Sequence, residues 1–92
     1  MKLEELYEII KKRREIKPKG SYVTSLISQG TDRIIQKVGE EAVEVVIAAK
    51  NSNNNKLISE SADLLFHLLI LLETKGITLD EIYEELRARN LS

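Results

Sequence analysis

The run Leu64-Leu65-Phe66-His67-Leu68-Leu69-Ile70-Leu71-Leu72 constrains this chain more than any other feature. Read as a helix at about 100° per residue, it is apolar around nearly its whole circumference, and such a helix belongs inside something larger. It falls far short of the ~20 residues that a membrane-spanning helix needs, so no membrane partner is expected. The chain has 92 residues. That leaves room for one core and a single domain over residues 1–92, burying only about 60–65% of the surface exposed by the unfolded chain. A chain this small cannot cover such a helix alone. The expectation is a homodimer in which two copies of one helix hairpin build a four-helix bundle.

Helical periodicity extends through the rest of the sequence, with no sustained alternation and no Asn-Gly or Asp-Gly turn to suggest strands. Leu3, Leu6, Tyr7 and Ile10 predict a first helix from about Leu3 to Glu15, ended by Pro18 and Gly20. Ser21 caps a short second helix, which Gly30 stops. A third helix runs from Thr31 or Asp32 to about Lys50, and Asn51–Asn55 reads as a loop because Asn and Ser side chains compete for backbone hydrogen bonds. A fourth helix reaches about Lys75 before Gly76, and Thr78 with Glu81 forms a capping box for a fifth. The expected class is all-α, with four to five helices around a central antiparallel hairpin.

Composition removes several kinds of chemistry. Without cysteine there are no disulfides, thiolate metal sites or cysteine nucleophiles, and one histidine cannot make a multi-histidine zinc site. A net charge of −1 offers no bulk attraction to nucleic acid or to anionic lipid. The N-terminus alternates charged and aliphatic residues with no apolar stretch of the signal-peptide kind, so a cytoplasmic protein is expected.

What chemistry remains is acidic. On the third helix Lys37, Glu41, Glu44 and Glu40 fall within an arc of about 100°, and on the fourth Lys56, His67, Glu60 and Asp63 fall within about 60°. The two wedges match: Lys37-x3-Glu41-x2-Glu44 and Lys56-x3-Glu60-x2-Asp63. Folded about Asn53, the hairpin brings Glu44 and Asp63 to nearly one height, so that four carboxylates face one another. Each wedge alone is what ordinary surface pairs at i, i+3 and i+4 produce. Their conjunction on otherwise apolar helices is the unusual part. Carboxylates crowded beside an aliphatic core need compensation, two lysines do not balance them, and an all-oxygen donor set suits a hard divalent ion, Mg²⁺ first and Mn²⁺ second.

Other readings fit less well. A di-iron bundle site needs two Glu-x-x-His pairs, and His67 lies four residues after Asp63. His67 by itself reads as a hydrogen-bonded core residue. Lys11-Lys12-Arg13-Arg14, with Lys17 and Lys19, reads as a solvated helix end favoured by the helix dipole, and contact with a phosphate-rich substrate is its alternative reading. Gly39, costly inside a helix by about 1 kcal/mol, suggests close helix approach or clearance for a substrate.

At the segments Gln36-Lys37-Val38-Gly39-Glu40-Glu41-Ala42-Val43-Glu44 and Glu60-Ser61-Ala62-Asp63-Leu64-Leu65-Phe66-His67 the sequence resembles the phosphoribosyl-ATP pyrophosphohydrolase family, among the MazG-type all-α nucleotide pyrophosphohydrolases. The superfamily pattern E-E-x-x-E, spacer, E-x-x-D is present with fifteen residues between Glu44 and Glu60. An upstream S-Y-T-x-x-L word is matched by Ser21-Tyr22-Val23-Thr24-Ser25-Leu26, followed by Gly30, and the resemblance runs from about Ser21 to Arg89. Val23, Ser61 and Phe66 depart from the usual Thr, Ala and Tyr without removing a charged residue.

The resemblance implies Mg²⁺-dependent hydrolysis of the α–β phosphoanhydride of phosphoribosyl-ATP, a step of histidine biosynthesis, in a dimer. Glu41, Glu44, Glu60 and Asp63 are then metal ligands and catalytic, with Glu40 as outer ligand or base. Lys37 contacts phosphate, or else pairs with Glu41 or Glu44, and Ser21, Tyr22 and His67 contact substrate. With Ser92 as the last residue, the phosphoribosyl-AMP cyclohydrolase often fused to this activity is expected to be missing. Two other functions compete: a house-cleaning nucleoside triphosphate pyrophosphohydrolase, and a catalytically silent helical dimer acting as an interaction module.

Overall fold

A computed structural model describes residues 1–89 and 91, and among them the regular structure is all α-helix. The order is α1 (Leu3–Ile16), α2 (Tyr22–Ser28), α3 (Thr31–Lys50), α4 (Asn54–Thr74) and α5 (Leu79–Ala88). Boundaries follow local chemistry. The Ser21 hydroxyl accepts the Thr24 amide at 3.2 Å to start α2, and Thr78 and Glu81 exchange both bonds of a capping box to start α5. Gly76 leaves α4 in the left-handed region (φ 72°) that a side chain disfavours.

One boundary differs from the sequence expectation. Asn54 and Asn55 are helical, because the Asn53 side chain accepts the Lys56 amide at 3.0 Å and caps α4 there. The connection between α3 and α4 therefore shrinks to Asn51–Asn53, with Ser52 in the left-handed region (φ 56°). The fold centre of the hairpin moves back from Asn53 to Ser52. That single-residue shift changes which carboxylates stand level.

The core is built by Ile10 of α1, Val23 and Leu26 of α2, Ile34 of α3, Leu69 and Ile70 of α4 and Leu79 of α5. α3 and α4 make the most extensive contact between helices, yet α3 buries only Ile34 and Ala48. Its apolar residues Ile35, Val43, Val46 and Ile47 are exposed, as are Ile58 and Leu65 on α4. Of the polar wedges, the hairpin buries Glu60 and His67 and half-buries Lys37 and Glu41, while Glu40, Glu44, Lys56 and Asp63 stay exposed. A hydrophobic face left to solvent while Glu60 is buried is the reverse of a self-sufficient helix pair.

α1 is clamped to α4 by charge. Arg14 holds Glu73 through two bonds, Nε to Oε2 at 2.6 Å and Nη2 to Oε1 at 2.7 Å, with the Glu73 side chain only 3% exposed. That pairing strengthens the hold of Arg14 on its proton. Nearby, Tyr7 donates its hydroxyl to the Ile77 carbonyl at 2.8 Å, and burial followed by the Glu73 charge pushes its phenol pKa up. Removing one partner of a buried pair leaves a carboxylate without compensation. Because the Arg14 side chain is itself 42% exposed, Arg14→Ala is expected to cost about 2 kcal/mol in urea unfolding. Arg14→Ala with Glu73→Leu should recover most of it.

Candidate functional site

The α3–α4 hairpin gathers its acids at mid-length. Glu41, Glu60 and Asp63 each offer an oxygen within 4.8 Å of the other two. With the fold centre at Ser52, Glu41 and Asp63 are eleven residues either side of it, and Glu44 and Glu60 are eight. The level pairs are thus Glu41 with Asp63 and Glu44 with Glu60, where folding about Asn53 would have levelled Glu44 with Asp63. Glu60 is buried, Glu41 half-buried and Asp63 exposed, so the group opens to solvent along Asp63. Glu44 is exposed, one turn beyond Glu41, and stands outside the trio.

Each half of the hairpin carries its own cation. Lys37 Nζ lies 3.2 Å from Glu41 Oε1, and Lys56 Nζ lies 3.3 Å from Glu60 Oε1, both at i, i+4. The ion pair of Lys37 with Glu41 is one of the two roles expected of that lysine. Glu40, on the outer side of α3, pairs with Arg33 at 3.2 Å. Three carboxylates with two ammonium groups leave a net negative centre beside an aliphatic core. Oxygen donors without thiolate or imidazole suit a hard divalent cation in chemistry, number and spacing.

Behind the acids lies an aromatic support. His67, one turn after Asp63, is 5% exposed and uses both ring nitrogens: Nδ1 lies 2.7 Å from the Asp63 carbonyl and Nε2 lies 2.7 Å from the Tyr22 hydroxyl. A carbonyl only accepts, so Nδ1 carries the proton; in the neutral ring Nε2 then accepts the Tyr22 O–H. Phe66 completes a three-ring cluster, its centroid 6.0 Å from Tyr22 and 5.4 Å from His67. His67 sits as a hydrogen-bonded core residue and reaches outward only through Tyr22. The Ser21 hydroxyl is spent on capping α2. Lys56, seen in the sequence only as half of a wedge, belongs to the site by its contact with Glu60.

Fold and site together define an all-α protein with an acidic cluster set between two antiparallel helices. The model of the family "Phosphoribosyl-ATP pyrophosphohydrolase" matches residues 3–90, and the chain belongs to that family. It is 49% identical over 87 residues to a phosphoribosyl-ATP pyrophosphatase of Lactiplantibacillus plantarum, covering 95% of this chain and 82% of the relative. It is 51% identical over 87 residues to a phosphoribosyl-ATP pyrophosphatase of Metallosphaera sedula, covering 95% and 94%. A histidine biosynthesis bifunctional protein of Bacteroides thetaiotaomicron is 49% identical over 92 residues, all of this chain and 45% of the relative. Among the described residues no helix is long and apolar enough to cross a membrane.

Proposed function

We propose that the chain hydrolyses the α–β phosphoanhydride of phosphoribosyl-ATP, releasing phosphoribosyl-AMP and pyrophosphate in the second step of histidine biosynthesis. The convergence of Glu41, Glu60 and Asp63 within 4.8 Å carries the reading, and membership of the family supports the substrate. Glu41, Glu60 and Asp63 would hold Mg²⁺, or Mn²⁺ in its place, with Glu44 as the fourth carboxylate. When bound, the ion supplies neutralisation of the charge that develops on the departing pyrophosphate.

The chain's own groups do the rest. Lys37 and Lys56 are held against the acids, and each would exchange its carboxylate partner for a phosphate oxygen of the substrate. A free carboxylate oxygen of Glu44, or of Glu40 once released from Arg33, accepts the proton of the attacking water. The His67–Tyr22 bond fixes the α2 side of the cleft relative to Asp63. The substrate is a soluble nucleotide, and the proposed place of action is the cytoplasm.

The acting unit in this reading is a homodimer. Ile35, Gly39, Ala42 and Val46 follow one stripe of α3, and Ile58, Ala62 and Leu65 one stripe of α4. Val46 is 56% and Ile58 70% exposed, and among the described residues nothing beyond the backbone of α3 itself lies within 4 Å of a methyl placed on Gly39. Gly39 thus serves no close approach among the described residues, and it leaves open space between the apolar residues of the stripe. The occupant that matches both stripes is the same hairpin from a second copy.

The carboxylate trio itself would serve any nucleoside triphosphate, so the substrate is tested by comparison. Initial rates with phosphoribosyl-ATP, ATP and the four dNTPs, with and without Mg²⁺, should show phosphoribosyl-ATP far ahead. Faster turnover of free dNTPs would make the protein a house-cleaning pyrophosphohydrolase. No turnover and no Mg²⁺ binding by calorimetry would leave the interaction-module reading.

A further inference from the structure

We infer that the basic concavity between the end of α1 and the start of α2 is a second phosphate site, which takes the monoester phosphate on the second ribose of the substrate. This rests on the phosphoribosyl-ATP reading above and extends it from the reacting phosphates to the other end of the molecule. The concavity has a volume of about 560 Å³ and is walled by Lys17, Lys19, Ser21, Tyr22 and Thr24, with no carboxylate in its lining. A smaller one continues from the same Pro18–Ser21 wall to Arg13.

The charge census favours this place. Arg14 is committed to Glu73, Arg33 to Glu40, Lys37 to Glu41 and Lys56 to Glu60. Arg13, Lys17 and Lys19 are exposed, and none has a carboxylate within 4.0 Å among the described residues. A substrate whose triphosphate lies at the acids still carries a phosphate monoester that needs cations elsewhere. Lys2, Lys11, Lys12, Lys50 and Lys75 are likewise without a carboxylate within 4.0 Å among the described residues, but Lys17 and Lys19 are the ones that share a concavity with Tyr22, the residue bonded to His67.

Two features of the chain point the same way. Lys17 ends α1 with φ 55°, in the left-handed region where glycine is the ordinary residue and a side chain is disfavoured. A lysine at a position that favours glycine keeps an ammonium group in the wall of the concavity. Tyr22, which lines the concavity, bonds to His67, and His67 bonds to the backbone of Asp63. The basic and acidic regions are thus joined through one phenol and one imidazole.

The test is the double variant Lys17→Gln, Lys19→Gln, assayed with phosphoribosyl-ATP and with ATP, which lacks the second ribose phosphate. The KM for phosphoribosyl-ATP should rise about tenfold or more, as loss of a charge-assisted contact implies, with kcat little changed. The kinetics of ATP should not move. An unchanged KM, or an equal rise for both substrates, would overturn the inference, the second result assigning the cations to the triphosphate. A direct titration separates this inference from the parent reading. Ribose 5-phosphate should saturably shift the amide NMR signals of Lys17–Ser25 in the unsubstituted protein and not in the double variant, with ribose as the uncharged control. Those shifts without phosphoribosyl-ATP turnover would remove the proposed activity and keep the phosphate site. Turnover without the shifts would do the reverse.

Discussion

Asp63→Asn is expected to lower turnover of phosphoribosyl-ATP by about a hundredfold or more while the helices remain intact. The amide keeps the shape of the side chain and removes a negative charge from a group whose oxygens lie within 4.8 Å of one another. Asp63 is the exposed member, so the change leaves the Lys37–Glu41 and Lys56–Glu60 pairs in place. Less repulsion among the acids should let the metal-free protein melt at the same temperature or higher. Glu44→Gln is expected to lose activity as well, because it removes the proposed fourth carboxylate. Circular dichroism with and without Mg²⁺ separates loss of chemistry from loss of fold. Near-normal turnover in Asp63→Asn would remove the site from the hairpin.

Val46→Glu tests assembly with an effect nearly as large. In an isolated chain, Val46 is 56% exposed and the substitution should change stability by no more than about 0.5 kcal/mol. Between two copies of α3 it would bury a carboxylate against apolar stripes, which costs several kcal/mol. The unsubstituted protein should accordingly melt at a temperature that rises with its own concentration. The variant should be monomeric or unfolded. A monomer by light scattering at micromolar concentration, with concentration-independent melting, would mean that the Ile35–Val46 and Ile58–Leu65 stripes are covered in some other way.

The sequence revealed the helices because their ends are written in short-range chemistry. Ser21 and Thr78 with Glu81 mark helix starts through bonds made within a few residues, and Gly30 (φ 97°) and Gly76 (φ 72°) mark boundaries by adopting positive φ. The start of α4 departs from the same logic. An Asn-rich run reads as loop throughout, whereas one Asn at the cap releases the next two into the helix. The cap at Asn53 places the hairpin's centre at Ser52, so the level partner of Asp63 is Glu41 in place of Glu44. The acids themselves were legible from two matching wedges, since helical spacing alone places them on facing sides.

Contacts between distant segments were less legible. Nothing in the local pattern pairs Arg14 with Glu73, fifty-nine residues apart, or aims Tyr22 at His67. Hydrophobic periodicity on α3 also gives the wrong inside for a single chain. Ile35 and Val46 look like core, yet they are exposed, while Glu60 is buried. The homodimer proposed above would bury both stripes and reconcile the pattern.

The most direct measurement follows pyrophosphate and phosphate release from phosphoribosyl-ATP by protein stripped with EDTA, during titration with Mg²⁺ and, in parallel, Mn²⁺. The account predicts no release without a divalent ion, then saturable release of pyrophosphate with phosphoribosyl-AMP as the other product. Equal release in EDTA, or release of orthophosphate from the γ position in place of pyrophosphate, would contradict it.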